Sequence, residues 1–189
     1  DRIKKNVINL NGTVFHYDKL IIATGSKNKI LDDLDPEEYL NLINLRTLND
    51  SVRLKNLILK SKNIVIIGAG FIGLEVAASA RSLGKNVTIL ESDTKVMGRN
   101  ISDQLSKWYI QYHKKKGVNF LFDETITSIK TNKKMINSIQ TSKKNNLKID
   151  CLLTAIGSYP DTTLANAIDL EVNNEICVNQ NMQTNDPSI

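Results

Sequence analysis

The sequence is poor in the residues on which several classes of protein depend. It has 2 cysteines in 189 residues, and Cys151 and Cys177 form no C-x-x-C pair, so we interpret both as buried, small apolar residues in a reducing compartment. Its 2 histidines, His16 and His113, have no acidic or cysteine neighbours at metal-ligand spacing, so we predict no metal site. Aromatic residues make up 5% of the chain and do not alternate with its lysines, which disfavours nucleic-acid binding.

Long apolar runs are also missing. No run approaches the ~20 residues that a membrane-spanning helix needs, and no charged-then-apolar segment at the N-terminus looks like a secretion signal. We therefore expect no membrane association and a cytoplasmic location. The 41% of apolar and 24% of charged residues are ordinary for a globular protein, and a chain of this length can bury a substantial core.

Basic residues exceed acidic ones and give the chain a formal net charge of +5. Many of the lysines lie in short runs, at residues 4–5, 114–116, 133–134 and 143–144. Such runs commonly form solvated loops and helix ends. The alternative is a docking face for an acidic protein partner, which complementary charge would steer toward this surface.

One stretch of the sequence carries a nucleotide-binding pattern. Residues 64–67 are a short apolar, β-branched run, which predicts a strand buried on both faces. Gly68, Gly70 and Gly73 follow it in the order G-x-G-x-x-G. In this pattern the first glycine permits a tight turn, the second lets a pyrophosphate approach the backbone, and the third lets a helix pack closely on the sheet. That helix is predicted over residues 71–83, and its N-terminus would present free N–H groups and a positive dipole end to the phosphates.

The pattern continues with an acidic residue after the next predicted strand, residues 86–90. Glu91 follows that strand, eighteen residues after Gly73, where such folds place the carboxylate that holds the adenosine ribose hydroxyls. A carboxylate repels the 2′-phosphate of NADP, and Lys95 is the only nearby cation, so we predict a preference for NADH. The alternative is a glycine-rich turn in an unrelated parallel sheet, but the strand, the helix and the distal acid occur here together.

The remaining segments predict further strands and helices on both sides of this unit. We expect a hairpin of residues 7–10 and 13–16 around Asn11-Gly12, strands at 19–23, 40–47, 118–122 and 149–156, antiparallel strands within 125–140, and a last strand or loop at 175–183. We expect helices at 51–60, capped by Asn49 or Asp50, at 103–116, capped by Ser102, and around 163–168. Residues 26–39 predict a polar linker and residues 93–100 an irregular connection. The whole predicts an α/β fold, a Rossmann-like parallel sheet flanked by helices with an added antiparallel β-meander.

The predicted helix over residues 103–116 also has a predicted buried face. Leu105, Trp108, Tyr109 and Tyr112 recur at spacings of three and four residues. Residues at this spacing share one side of a helix, so we expect these four side chains to be its buried stripe.

Several segments together match one family. They are residues 17–25, the glycine-rich unit with Glu75 and Glu91, residues 154–160 and residues 184–187. The chain resembles the FAD/NAD-linked reductases of the pyridine nucleotide-disulfide oxidoreductase superfamily, and within it the NADH-dependent ferredoxin and rubredoxin reductases. Leu45-Arg46-Thr47, and His113 followed by Gly117-Val118, are typical of that branch.

The resemblance implies a three-layer FAD/NAD(P)-binding fold in which residues 44–156 form the NADH-binding domain. Residues 1–27 would be a remnant of the crossover from the FAD domain, with Thr24 and Gly25 at the crossing near FAD. Residues 157–189 would be the return segment toward that domain. The family's FAD-pyrophosphate motif would precede this chain and its flavin-contacting Gly-Asp would follow it. We therefore expect FAD in the full-length protein and no retention of FAD by this chain alone.

The resemblance also implies roles for individual side chains. Glu75 would be the catalytic-site carboxylate near the flavin, paired with a lysine of the FAD segment; the alternative is a plain exposed helical acid. Phe71 would cover the nicotinamide pocket, with Ile72 beside it in the cofactor site; the alternative for Phe71 is core packing against the sheet. Gly157 would lie alongside the nicotinamide end of the cofactor.

The implied reaction is hydride transfer from NADH to FAD, followed by delivery of single electrons to a small acidic iron–sulfur protein, a ferredoxin or rubredoxin. Two alternatives stay open. A disulfide reductase or NADH oxidase of the same superfamily would carry its redox cysteines before residue 1, although the missing C-x-x-C disfavours the thioredoxin-reductase arrangement. A non-catalytic dinucleotide-binding module would need only the glycine-rich unit.

Overall fold

Short strands and helices alternate in the middle of the chain, and runs of consecutive strands lie before and after that part. The computed structural model describes residues 1–32, 34–98 and 100–189. The helices are α1 (Leu48–Lys60), α2 (Phe71–Ser82), α3 (Asp103–Lys115) and α4 (Thr163–Ala167). The strands are β1 (Asn6–Ile8), β2 (Val14–His16), β3 (Ser26–Asn28), β4 (Leu42–Asn44), β5 (Asn63–Ile67), β6 (Asn86–Glu91), β7 (Val118–Phe122), β8 (Ile126–Asn132), β9 (Met135–Thr141), β10 (Asn146–Lys148), β11 (Cys151–Thr154), β12 (Ser158–Pro160), β13 (Val172–Asn173) and β14 (Glu175–Ile176). They form two compact units, one of Asn28–Gly157 and one of Asp1–Lys27 with Ser158–Ile189.

The centre of the Asn28–Gly157 unit is a five-stranded parallel sheet in the order β4-β11-β5-β6-β7. Its strands are apolar on both faces because both faces are covered. Along β5, Ile64 and Ile66 point into the core on one side of the sheet, whereas Val65 and Ile67 point into the core on the other. This alternation follows from the two-residue period of a strand and confirms the predicted buried parallel sheet.

Helices cover one face of this sheet and an antiparallel sheet covers the other. Leu54 and Ile58 of α1, and Leu74 and Ala77 of α2, pack into the helix-side core. On the opposite face, Ile136 and other residues of the β10-β9-β8 sheet pack against the parallel strands. The result is three layers, as the predicted α/β fold with a β-meander requires.

The helix starts are set by local hydrogen bonds. At α1 the cap is Thr47, which accepts from the Asp50 N–H at 3.2 Å while the Asp50 carboxylate accepts from the Thr47 N–H at 2.7 Å. The predicted cap of Asn49 or Asp50 was therefore wrong, because Asp50 is the distal member of a capping box. The predicted cap of α3 is confirmed, since the Ser102 hydroxyl accepts from the Leu105 N–H.

The predicted buried stripe of α3 was mostly wrong. Three of its members are about half exposed: Leu105 (43%), Trp108 (53%) and Tyr112 (46%). The face that packs inward carries Ser106 and His113, which are buried, and Tyr109 and Ile110, which pack against the helix-side core. Two neighbouring stripes of the helix have suitable spacing, and only the position of the sheet decides which of them is covered. The exposed rings of Trp108 and Tyr112 stack on each other, with centroids 5.3 Å apart.

The unit of Asp1–Lys27 with Ser158–Ile189 consists of three two-stranded sheets, β1-β2, β12-β3 and β13-β14, and helix α4. The predicted hairpin is confirmed as β1 and β2, with Val7 paired to Phe15. The predicted strand at residues 19–23 was wrong. Leu20 and Ile22 pack against a small core of Ala165, Leu170 and Ile189 instead of joining a ladder.

Several predicted linkers and strand bounds also differ from those of the structure. The predicted linker at residues 26–39 contains strand β3 and the buried side chain of Leu34. The strand predicted at 149–156 shortens to β11, and the segment predicted at 175–183 keeps only β14 as strand. The connection predicted at 93–100 is irregular in its described part, and residue 99 lies outside the described residues.

Among the helices that are described, none is both long and apolar enough to cross a bilayer.

Candidate dinucleotide-binding site

Two glycines of the G-x-G-x-x-G loop are required by the fold. Gly68 leaves β5 with φ +101°, a conformation that side-chain-bearing residues rarely adopt, and a Cβ there would lie 2.5 Å from the Ala155 carbonyl oxygen. A Cβ on Gly73 would lie 2.1 Å from the carbonyl oxygen of Gly68. Gly68 therefore permits the turn beside β11, and Gly73 permits α2 to approach that turn.

Gly70 is not required by the fold. Its φ of −78° and ψ of −173° are extended values that any residue adopts, and a Cβ there would meet nothing within 4 Å. Gly70 is the N-cap of α2, yet no side chain caps this helix. The first N–H groups of α2 therefore have no side-chain acceptor at the positive end of the helix dipole, and the space over Gly70 is open, an arrangement that suits an anion.

Glu91 ends β6 next to this loop. One carboxylate oxygen accepts from the Ala69 N–H at 2.7 Å, and the other accepts from the Asp93 N–H at 2.9 Å and the Ser92 hydroxyl at 3.2 Å. These bonds hold the half-buried carboxylate beside the glycine loop. Each carboxylate oxygen can accept two hydrogen bonds, so the oxygen bonded to Ala69 has room for a further donor such as a ribose hydroxyl.

The segment after Glu91 closes against the same loop. The Met97 N–H donates to the Ala69 carbonyl at 3.0 Å, so both backbone groups of Ala69 are bonded. Lys95 forms an ion pair with Asp103 at 2.8 Å. The hydrogen bond and charge of Asp103 raise the pKa of Lys95. Lys95, the cation that the sequence analysis placed near Glu91, is thus already engaged by a carboxylate.

The first two turns of α2 present three predicted site residues to solvent. Phe71 is 55% exposed and Ile72 is 44% exposed, so the alternative of core packing for Phe71 was wrong. Glu75 is also exposed, one turn further along the helix. The buried side of α2 is formed by small and aliphatic residues such as Ala77, which leaves these three side chains on its outer face beside the glycine loop.

The other predicted site residues divide between the two units. Gly157 belongs to the same unit as the glycine loop, has φ +99°, and follows β11 closely, where the Ala155 N–H donates to the Ile67 carbonyl at 2.7 Å. Thr24 and Gly25 belong to the other unit. There the Thr24 hydroxyl donates to the Asp161 carbonyl at 2.6 Å, and the Gly25 carbonyl accepts from the Asp161 N–H at 2.9 Å.

Sequence comparison assigns the family. The model of the pyridine nucleotide-disulphide oxidoreductase family matches residues 1–189 of the chain. The chain belongs to this family. The resemblance drawn from the motifs is thereby confirmed.

Individual members of the family support the same placement. The rubredoxin-NAD(+) reductase of Pseudomonas putida is 31% identical over 98% of this chain and 48% of its own length. The ferredoxin–NAD(+) reductase component of a 3-phenylpropionate/cinnamic acid dioxygenase from Photorhabdus laumondii is 34% identical over 98% of this chain and 47% of its own. A crystal structure of a ferredoxin reductase from Rhodopseudomonas palustris superposes with a TM-score of 0.94 and 31% identity, over 100% of this chain and 46% of that one. The chain thus spans about half the length of the curated relatives that it matches.

For a member of the pyridine nucleotide-disulphide oxidoreductase family, the state of the cysteines is informative. Both are free thiols. Cys151 is fully buried in β11, and burial raises its pKa to about 12, which keeps it a neutral apolar residue as predicted. Cys177 is only partly buried, so its predicted burial was wrong. Within the described residues, no group of three or more His, Cys, Asp or Glu side chains is placed to hold a metal ion.

Sequence reasoning missed Ala69. This residue lies between the first two glycines, is 1% exposed, and joins Glu91 to Met97 through its own N–H and carbonyl. The small residue at this position of the motif was a weak signal. Its hydrogen-bond partners lie more than twenty residues away, and no local pattern identifies them.

Proposed function

We propose that this chain is the NADH-binding part of an FAD-dependent oxidoreductase that delivers electrons to a small acidic iron–sulfur protein of the ferredoxin or rubredoxin type. The observation that carries the proposal is Gly70. Neither its backbone conformation nor its packing demands a glycine, and it lies at an uncapped helix N-terminus. Glycine is an accepted N-cap residue, but Asn, Asp or Ser would cap this helix better, and close approach of a ligand phosphate accounts for a residue without a side chain at this point.

The residues around Gly70 provide for the other parts of NADH. The N–H groups that open α2 would hold the pyrophosphate, and Glu91 would accept from the hydroxyls of the adenosine ribose. Phe71, with Ile72 beside it, would cover the nicotinamide, since its ring is exposed and available. Gly157 would border the nicotinamide end. In this proposal the NADH-binding domain comprises residues 44–156.

The remaining segments would serve the flavin. Residues 1–27, with Thr24 and Gly25, and residues 157–189 would belong to the FAD domain of the full-length protein. Bound FAD supplies the conversion of a two-electron hydride into single electrons. The exposed carboxylate of Glu75 would add negative charge near the reacting rings. The chain's own contribution is to bind NADH, orient it and set the local charge.

Two further observations support the choice of electron acceptor. The relatives from Pseudomonas putida and Photorhabdus laumondii are named as reductases of rubredoxin and ferredoxin. The formal net charge of +5 suits an acidic partner protein, because opposite charges accelerate encounter. The cytoplasmic location stays a prediction, which cell fractionation would test.

The proposal is tested by titrating the chain with NADH and with NADPH in a calorimeter. We expect NADH to bind more tightly than NADPH. In the Gly70→Val variant we expect no measurable NADH binding, because the valine side chain would fill the place of the pyrophosphate. The variant should still fold, since a Cβ at this position would meet nothing within 4 Å, although valine caps a helix less well than glycine. Unchanged NADH affinity in Gly70→Val would refute the site.

The flavin is tested separately. We expect the purified chain to be colourless and to show no flavin absorbance band, because it spans only about half the length of its FAD-dependent relatives. A yellow chain that retains FAD through gel filtration would contradict this expectation. NADH binding by a colourless chain would agree with both parts of the proposal.

A further inference from the structure

We propose that Glu124 is a positioning residue for the ribose-binding carboxylate of Glu91. Glu124 is not part of the glycine motif and touches none of the residues to which NADH binding is assigned above except through the Glu91 backbone. The proposal rests on the proposed function, since it concerns the same ribose subsite. It assigns a purpose to a buried acid that the site described so far does not use.

Glu124 is unusual because it is a buried acidic residue at the junction of two strands. It lies between β7 and β8 and is only 5% exposed. Its carboxylate accepts a hydrogen bond from the Thr141 hydroxyl. The side-chain amide of Asn145 donates to both carboxylate oxygens, at 3.1 and 2.9 Å. A carboxylate is buried in this way only when donors surround it. Hydrogen bonding by Thr141 is the largest cause of the lowered pKa of Glu124, so the group is charged at neutral pH.

This anchored carboxylate is joined directly to the segment that carries Glu91. The Glu124 N–H donates to the Glu91 carbonyl at 3.2 Å, and the preceding Asp123 N–H donates to the Asp93 carbonyl at 3.1 Å. The side chain of Glu91 in turn accepts from the Asp93 N–H at 2.9 Å and from the Ala69 N–H at 2.7 Å. Hydrogen bonds, with the covalent backbone between them, therefore connect the Glu124 side chain to the carboxylate of Glu91.

The hydrogen-bond donors to the Glu124 carboxylate lie in the turn formed by residues 141–145. Thr141 is 1% exposed at the end of β9. The Thr141–Asn145 turn is closed by its own backbone bonds, in which the Thr141 N–H donates to the Asn145 carbonyl at 3.0 Å. Glu124 attaches the strand junction to this turn. The same junction is also held by the pairing of Glu91 with Phe122 between β6 and β7, and by the Ser142 N–H, which donates to the Thr125 carbonyl at 2.9 Å. Loss of the Glu124 side chain therefore loosens the backbone at 123–124 without releasing it, and the Glu124 N–H orients the Glu91 backbone less firmly. The first interaction to weaken is then the one between Glu91 and the ribose.

The test uses a ligand pair that isolates this interaction. NADH is compared with 2′-deoxy-NADH, which lacks the hydroxyl of the adenosine ribose that Glu91 would hold. A hydrogen bond to a charged group corresponds to about tenfold in affinity or more, so the parent should bind NADH at least about tenfold more tightly than 2′-deoxy-NADH. We expect Glu124→Ala to weaken NADH binding about fivefold while changing 2′-deoxy-NADH binding less than about twofold. The discrimination between the two ligands should fall accordingly.

Three further variants test whether the effect on ribose binding comes from the Glu124 side chain. Glu124→Gln restores the length of the side chain and one acceptor oxygen, and should recover part of the discrimination. Thr141→Val removes the donor to Glu124, together with the acceptor of the Asn145 N–H, and gives the same readout if Glu124→Ala does not fold. Asn41→Ala is the matched control. Asn41 is fully buried and bonds Ile136 on the meander, away from the Glu91 segment, so its loss should lower stability without changing the ratio of the two affinities.

The outcomes separate this inference from the proposed function. Glu124→Ala and Thr141→Val would overturn the inference if they weaken both ligands in parallel, as a merely structural role predicts, or if they change neither. The inference would then fail alone, provided that the parent still prefers NADH to its 2′-deoxy form. A parent that binds the two equally, or binds neither, would instead contradict the assignment of the ribose subsite to Glu91.

Discussion

Replacing Gly70 with aspartate should make the protein more stable and abolish its binding of NADH. The N-cap of α2 has the extended backbone of a capping residue but no side chain to accept from the free N–H groups of the first turn. An aspartate there would accept from them, which stabilises by a few tenths of a kcal/mol relative to glycine. Its charge near the positive end of the helix contributes roughly 0.3–1 kcal/mol more. The backbone at Gly70 is extended and a Cβ there would meet nothing within 4 Å, so the substitution introduces no backbone strain.

The two effects are measured separately. A gain of about 1 kcal/mol should raise the Tm by about 2–4 °C for a chain of this size. Binding should move in the opposite direction, because the carboxylate takes the place of the pyrophosphate and repels its charges. Two unit charges about 4 Å apart near a protein surface repel by roughly 4 kcal/mol, so the Kd for NADH should rise at least about 100-fold. Differential scanning fluorimetry and calorimetric titration report the two quantities.

The opposite signs make this experiment decisive. Gly73→Ala provides the contrast, because its Cβ would lie 2.1 Å from the Gly68 carbonyl oxygen and should cost both stability and binding. A lower Tm in Gly70→Asp would show that the start of α2 is not free to accept a cap. An unchanged Kd would show that no phosphate binds at this helix terminus, and the reasoning from open space to ligand would be refuted.

Three other perturbations test separate parts of the structure. Glu91→Arg should shift the preference from NADH toward NADPH, measured as the ratio of the two Kd values; a variant that still strongly prefers NADH would exclude Glu91 as the ribose ligand. Thr47→Ala should lower the unfolding free energy by about 1 kcal/mol by breaking the capping box of α1, with unchanged NADH affinity. Burial lowers the pKa of His113, so the folded protein favours the neutral imidazole. The unfolding free energy should therefore reach its full value above about pH 6.5 and fall as the pH drops below it. Urea unfolding should show this contribution in the parent and not in His113→Gln.

Local patterns predicted the dinucleotide unit well. The apolar run of β5, the start of α2 and the Ser102 cap of α3 are confirmed because each depends on neighbours within a few residues. The steric demands on Gly68 and Gly73 also agree with the roles that the motif assigns to them. These features are set by backbone sterics and short-range hydrogen bonds, which a sequence displays directly.

Features that depend on distant partners were predicted poorly. Leu105, Trp108 and Tyr112 have the spacing of a buried stripe, but the sheet covers the neighbouring face with His113 instead. The segment at residues 19–23 has the composition of a strand, yet Leu20 and Ile22 pack against a small core, Ile21 is exposed, and no ladder forms. In both cases composition shows that a segment is apolar, and only its packing partner decides what that segment does.

The candidate site divides in the same way. The sequence by itself determined the α/β class, the glycine loop, the helix behind it and the acid at the end of the next strand, because those follow from period, sterics and spacing. Only the tertiary structure decided that Gly70 is free of both strain and contact, whereas Gly68 and Gly73 are not. It also decided that Ala69 and Glu124 hold Glu91 in place. Those hydrogen bonds join residues that are remote in sequence, and they exist only after the parallel sheet has brought the ends of its strands together.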